Sequence, residues 1–452
     1  MYRFQVYSNF KSNQLFHANH HGFLGNHSTA TAIIQLHDIW LQAAENKEFS
    51  AALLLDLSAA FDIVDHRILL QKLHAYNFSK DSTEWFESYL SGRLQTIQVE
   101  SKFSNPEPVA EHGVPQGSIL GPLIFIIFNN DFAASAEEGE SILYADDDTD
   151  NVHDGDPLEL KDKIQREAER STDWVADNRM VCAGSKTKLL VIGTRELRRS
   201  RFKDQHIQVN VCGANIEDTK SEKLLGLIVN NQLSWKEYLH GEQWRKEDNA
   251  KGLIPQLSQR AGILSKLVKI MPPKRFNLFC NGLFYSKLLY CLQVFGNVWD
   301  VPNNDETNRR FTAYTKEDNR KLQVLQNKIL RLKTNLPKET PTETLIKVSG
   351  DLSVQQLTAY TSLLTAQKSI FHQEPAYLAK TLNLRSNQDQ PHRKQNVMSV
   401  KSNLTVSRGG FFYRTAALYN NLPDDLRSPM DPKAFKPKLR NWVKKNIAIK
   451  PG

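Results

Sequence analysis

Short apolar runs alternate with segments of helical period through the first half of the chain, and helical period dominates the second half. Ser50–Leu57 (SAALLLDL) is a continuous apolar run carrying an acid near its end. That is the pattern of a strand buried on both faces that delivers a carboxylate at its tip. Asp65 predicts a capped helix through HRILLQKLHAY, closed by Asn77. Asp81 with Glu84 reads as a capping-box variant opening DSTEWFESYL, which Gly92 stops. Leu94–Val99 reads as another strand. Ser118 predicts the cap of ILGPLIFIIF, with Pro122 in its first turn, and a helix apolar nearly all round is expected to be buried. Ile142–Ala145 predicts a short strand running into Asp146, Asp147 and Asp148; residues 161–178 read as helix and Leu189–Ile192 as strand.

Beyond about residue 236 the pattern predicts helices over 254–270, 274–290, 318–334 and 354–370, with a polar, loop-like stretch over 381–410. The segment DPKAFKPKLRNWVKKN reads as a basic helix carrying Lys433, Lys436, Lys438, Arg440, Lys444 and Lys445.

The 452 residues are 40% hydrophobic and 24% charged, which argues against a mainly disordered chain and allows for about three domains. The longest apolar run, Ile119–Phe128, holds Gly121 and Pro122 and is half the roughly twenty residues of a bilayer span, so no membrane association is expected. Four scattered cysteines without CxxC spacing disfavour a zinc module or a disulfide framework and fit a reducing compartment. Charge is uneven. Residues 1–250 carry 25 Lys and Arg against 37 Asp and Glu, whereas residues 251–452 carry 33 against 13. A basic half suggests a polyanionic partner, and nucleic acid fits best.

The candidate chemistry lies in three elements. Asp56 ends a strand, with Phe61 five residues on; Asp146 and Asp147 follow the strand ILYA directly, as at a hairpin tip. If those two strands are neighbours, three carboxylates converge. Hard oxygen donors without His or Cys select Mg²⁺ or Mn²⁺, and two such ions are the device of in-line phosphoryl transfer. A lone Asp-Asp is ordinarily a solvated turn, so the third element matters: HGVPQGSILGP (112–122), a Gly/Pro-punctuated loop entering the buried helix, with Gln116 at its apex.

In this order the three elements resemble motifs A (AALLLDLSAAFDIVDH), B (HGVPQGSILGPLIF) and C (ILYADD) of the reverse transcriptases of non-LTR, LINE-like retrotransposons. WVADNRMVCAGSKTKLLVIG resembles the family's motif D, KLLGLIVNNQLSW (223–235) its hairpin after the palm, and HGFLGNHSTATAI its fingers–palm junction. The resemblance implies an α+β right-hand polymerase. Residues 1–45 would be a remnant of fingers, 46–235 a palm with a small antiparallel sheet, 236–370 a helical thumb and 371–452 a basic helical extension. On that likeness the chain reads as N-terminally truncated.

The resemblance also implies roles. Asp56, Asp146 and Asp147 would be catalytic carboxylates holding two Mg²⁺ (or Mn²⁺) ions, with the Leu57 carbonyl as a further ligand. Phe61, Gln116, Gly117 and Lys186 would line the nucleotide site, Phe61 excluding a 2′-hydroxyl and Lys186 lying near the triphosphate. The lysines and arginine of 433–445 would contact nucleic acid. Implied partners are an RNA template, a DNA primer and dNTPs, and the implied location is intracellular, in nucleus and cytoplasm. The sequence departs from the family at Leu24, where the family carries arginine, and in the strand DTDN after the acid pair, where Asp148 and Asp150 add charge that strands disfavour. These departures leave a second reading, a relic that binds nucleic acid through its basic half. A two-metal nuclease would explain the ions but neither VPQG nor Phe61.

Overall fold

A computed structural model describes residues 2–109, 111–202, 206–241, 251–299, 314–382, 410–428 and 430–449. Nearly all of the 381–410 stretch expected to be loop lies outside these residues. Helices and strands are mixed, as expected, and the chain divides into two compact units, one of 1–28, 49–191 and 199–219, the other of 29–48, 192–198 and 220–452.

The first unit is built on a sheet of β1 (Phe49–Asp56), β2 (Glu140–Tyr144), β3 (Asp147–Asp154), β4 (Lys188–Ile192), β5 (Gln208–Val211) and β6 (Ala214–Thr219), in the order β2-β3-β1-β4-β6-β5. β3 runs antiparallel to both β1 and β2. Central β1 is buried along most of its length, which its unbroken apolar run requires. The Pro157–Asp177 helix lies across β1, β3 and β5; Asp156 caps it and Pro157 opens it, where a missing N–H is harmless. His20 bridges Leu143 in parallel, so the segment before Gly22 extends the sheet at its β2 edge.

Local signals hold where the chemistry is local. Asp65 accepts hydrogen bonds from the Arg67 and Ile68 amides and caps His66–Ala75, and Asn77 follows that helix with φ +60°. The next helix corrects the expectation: it runs Lys80–Leu90 and is capped by Ser79, not Asp81, because Ser79 Oγ reaches the Ser82 amide. The apolar helix begins at Gly121, three residues after Ser118, whose Oγ accepts from the Gly121 amide and so closes the preceding turn. Leu94–Val99 is not one strand. It breaks into Leu94–Gln95, paired with 107–108, and Gln98–Val99, paired with 102–103, all exposed.

The second unit holds a hairpin of β7 (Ser221–Leu224) and β8 (Leu227–Asn230) and helices that include Thr29–Glu45, Leu253–Leu267, Lys316–Thr334, Val354–His372, Phe411–Asn420 and Pro432–Asn446. Capping boxes at Thr315/Asp318 and Ser353/Gln356 open two of them. Arg414 is fully buried and donates to the Gln293 and Gly296 carbonyls, tying Phe411–Asn420 to the end of the Leu292–Phe295 helix. Pro273–Phe295 is, by length and composition, long and apolar enough to cross a membrane. Its chain turns at Cys291 (φ +55°), and Phe276, Cys280, Phe284 and Leu288 are buried as in a core helix.

Candidate active site

The register of one ladder assembles the site. Asp56 at the end of β1 stands directly opposite Asp147 at the start of β3. Directly opposed residues share a face of the sheet, so both carboxylates lie on one side of one end. Asp146 sits beside them in the two-residue turn between Tyr144 and Asp147, where Ala145 takes a left-handed φ of +61°. A left-handed residue only at the first central position is the pattern of a type II′ hairpin turn, one that favours glycine and strains alanine.

The next residues of β3 alternate to the other face. Asp148 is buried; Asn129 Nδ2 donates to it at 3.3 Å, and burial pushes its carboxyl well above the usual range. Asp150 is also buried, and burial raises its pKa, opposed by Arg170 at 2.7 Å. Ser171 donates to it at 2.5 Å, and Ser141 donates to its other oxygen. The charge expected to disturb the hairpin therefore sits behind it, met by Asn129 at the end of the Gly121–Phe128 helix and by groups that the Pro157–Asp177 helix and β2 carry.

The segment after β1 is laced to two loops. Ser58 N–H donates to the Val181 carbonyl and Ala183 N–H to the Asp56 carbonyl, so Leu57's own N–H and C=O stay out of that pairing. Lys186, on the same loop, places Nζ 3.8 Å from Asp56 Oδ2 with its side chain mostly exposed. Burial pushes the neighbouring Cys182 thiol up to about 12, with Cys212 beside it, which makes it a poor nucleophile. The 112–117 loop zips onto 61–65: Val114 N–H donates to the Phe61 carbonyl and Gly113 N–H to the Val64 carbonyl. Gly113, at φ +84°, leaves no room for a Cβ, which would stand 2.6 Å from the Asp62 carbonyl oxygen. Gln116 Nε2 donates to Asp62 Oδ1 at 2.7 Å, and Gly117 has φ +77°. Phe61 stacks on Phe125 (4.2 Å, 21°) and meets Phe23 edge-on at 6.1 Å.

Sequence reasoning missed Asp62 and Gly22. Asp62 anchors the motif B loop through its side chain and backbone, a contact between segments about fifty residues apart that no local pattern encodes. Gly22 passes so close to the hairpin turn that a Cβ would meet the Ala145 amide nitrogen at 2.3 Å; the HHGF run was the available signal. Among the described residues, no three His, Cys, Asp or Glu side chains by themselves close on one ion-sized point.

Residues 4–229 match the reverse transcriptase (RNA-dependent DNA polymerase) family. The chain belongs to that family. The acid pair after β2, the acid ending β1 and the loop folded on Asp62 all lie within the matched residues. The chain is 27% identical over 284 residues to the RNA-directed DNA polymerase from mobile element jockey of Drosophila funebris, covering 61% of this chain and 29% of that protein. It is 35% identical over 133 residues to the probable RNA-directed DNA polymerase from transposon BS of Drosophila melanogaster, covering 28% and 14%. To the probable polymerase from transposon X-element of the same species it is 24% identical over 317 residues, covering 69% and 31%. The resemblance to non-LTR element reverse transcriptases is borne out, and the chain spans less than a third of these relatives' length.

Proposed function

We propose that the chain is an RNA-directed DNA polymerase of a non-LTR retrotransposon, transferring a nucleotide from a dNTP to a primer 3′-hydroxyl on an RNA template. The observation that carries this is Asp56 opposite Asp147 with Asp146 in the adjoining turn. Relatives named as polymerases do not favour the relic reading.

The donor set suits two Mg²⁺ or Mn²⁺ ions: three carboxylates and the Leu57 carbonyl, all hard oxygens, with no His or Cys among them. When bound, such ions neutralise charge on the triphosphate and make the primer hydroxyl a better nucleophile. The chain's own residues supply the rest. Asp56, Asp146 and Asp147 would hold the ions. Lys186 offers a mobile cation at the edge of the site for the leaving phosphates. Phe61, backed by Phe125, presents a flat wall against which a 2′-hydroxyl would clash. Gln116, held by Asp62, and Gly117, at a φ that favours glycine, shape the nucleotide's other side.

In this reading 1–45 is a remnant of fingers, 46–235 palm, 236–370 thumb and 371–452 a basic extension gripping the duplex through phosphates. Asp431 caps the Pro432–Asn446 helix; Lys433, Lys436, Lys438 and Lys445 are exposed on it, while Arg440 and Lys444 both donate to the Gly350 carbonyl. The first four are therefore the freer nucleic-acid contacts. In this reading the protein works in cytoplasm and nucleus.

Primer extension on an RNA template with dNTPs and Mg²⁺ or Mn²⁺ tests the reading. Asp146→Asn should abolish incorporation while leaving duplex binding intact. Incorporation that survives Asp146→Asn, or none by the wild-type chain, would count against it.

A further inference from the structure

Two of the four cysteines meet close to Asp56. Cys182 stands opposite Leu57 in an antiparallel bridge, and its thiol lies in hydrogen-bonding contact with that of Cys212. The backbone brings them together. β6 pairs with β4 in parallel, and the segments leading into them stay adjacent: a Cβ at Gly184 would stand 2.6 Å from Ala214 Cβ. Cys182 and Cys212 each lie two residues before that contact. Adjacent strands run about 4.8 Å apart, inside the roughly 4.4–6.8 Å that separates the Cα atoms of a disulfide. Both thiols are free and partly exposed, whereas Cys280 and Cys291 are buried in the second unit.

Cys212 is an unusual residue for its place. It takes φ +48° and Gly213 φ +79° in the two-residue turn between β5 and β6, the pattern of a type I′ turn. The first central position of that turn favours Asn, Asp or Gly, and a cysteine there is strained. Thr172 Oγ1 accepts from the Cys212 N–H at 3.0 Å and lies 3.7 Å from its sulfur, which fixes the turn. On the other side, Thr187 Oγ1 lies 3.6 Å from Cys182 Sγ and accepts from the Asp56 N–H at 3.3 Å. One hydroxyl therefore touches both a thiol of the pair and the backbone of the acid that ends β1.

We propose that Cys182 and Cys212 close a reversible disulfide, a redox modification site that fastens the 182–187 loop to the β5–β6 turn beside Asp56. The oxidant is a peroxide. Cys212, next to exposed Gly213, reacts first: its sulfur attacks one peroxide oxygen, the O–O bond breaks, and a sulfenic acid and water form. The Cys182 sulfur then attacks the Cys212 sulfur, the S–O bond breaks, and a second water leaves with the Cys182 proton. Two thiols are oxidised and one peroxide is reduced to two waters. Contact between the sulfurs makes the second step intramolecular, which offsets the weak nucleophilicity of Cys182. Transient disulfides are the kind that a reducing compartment allows.

The test treats the full chain, free of metal and nucleotide, with hydrogen peroxide. Thiols are then counted after denaturation and bridged peptides mapped by mass spectrometry. Thiols should fall from four to two, with one bridge joining Cys182 to Cys212, and dithiothreitol should restore all four. Hydrogen exchange over 183–188 should slow on oxidation and recover on reduction. Cys182→Ser should abolish the bridge. Cys212→Asn, which suits the left-handed turn, should abolish it with no fall in the urea midpoint. The proposal is overturned if four thiols persist, if the bridge joins two chains or includes Cys280 or Cys291, or if Cys212→Asn still loses two thiols. Unchanged exchange over 183–188, or oxidation to sulfinic acid without a bridge, would overturn it too. Because thiol counting uses neither the carboxylates nor a nucleotide, failure here is distinct from failure of primer extension.

Discussion

Gly22 lies against the backbone of Ala145, the left-handed residue of the turn that presents Asp146 and Asp147. With the His21 N–H donating to the Leu143 carbonyl at 2.7 Å, the HHG segment props that turn from the β2 side. A Cβ at Gly22 meets backbone rather than a flexible side chain, so Gly22→Ala forces the turn to move. The expected cost is about 1–3 kcal/mol, typical of overpacking, read as a lower urea midpoint. Nucleotide incorporation should fall further than that loss explains, because the displaced turn carries two of the three acids. A variant with wild-type midpoint and rate would show that the segment yields without consequence.

Asp148 and Asp150 set one limb of the pH dependence. Both have carboxyls raised by burial, so the folded chain holds their protons to higher pH than the unfolded chain does. Their contribution is full below the ordinary carboxylate range and is lost as pH rises through the raised values, at up to about 1.4 kcal/mol per pH unit for each group. Asp148→Asn should therefore raise stability at neutral pH and flatten this limb. Urea titrations in EDTA from pH 4 to 7 read it directly, and an unchanged slope would show that Asp148 is ionised in the fold.

The opposite limb belongs to His20 and His37. Burial lowers His20 to about 3 and His37 to about 4, and neither His20 ring nitrogen has a hydrogen-bond partner among the described residues. Their contribution is present above pH 6.5 and lost as pH falls toward the folded values, because the unfolded chain takes up the protons first. His20→Leu should make the chain less acid-labile between pH 4 and 6.5. Thermal unfolding at pH 5 and 7 gives the comparison; equal acid sensitivity in variant and wild type would place the lability elsewhere.

Phe61 combines packing with proposed selectivity. Phe61→Ala removes the stack on Phe125, a ring pair worth about 0.5–1.5 kcal/mol beyond its burial, so the melting temperature should drop. In primer extension the preference for dNTPs over ribonucleotides should drop as well. A lower melting temperature with unchanged sugar preference would leave Phe61 a packing residue alone.

What the sequence determined by itself was what short range controls. The unbroken apolar run of 51–55 has the pattern of a strand buried on both faces, and it carries Asp56 at its end. Asp65 caps through amides two and three residues away, and a short strand ending in adjacent acids leaves a tight turn as their natural place. The motifs, held in that order, were enough to point to the family.

Only the tertiary structure decided which face each acid takes. The antiparallel register puts Asp147 opposite Asp56 and turns Asp148 and Asp150 toward Asn129, Arg170 and Ser171. Read alone, DDDTD is a run of like charges; folded, it divides between the face that Asp147 shares with Asp56 and a buried, hydrogen-bonded one. The same holds for Gln116 on Asp62 and Gly22 on Ala145, contacts between segments far apart in the chain. The reason is physical. Propensity and capping act over a few residues, whereas the environment that sets a carboxyl's charge is made by whatever the fold packs against it.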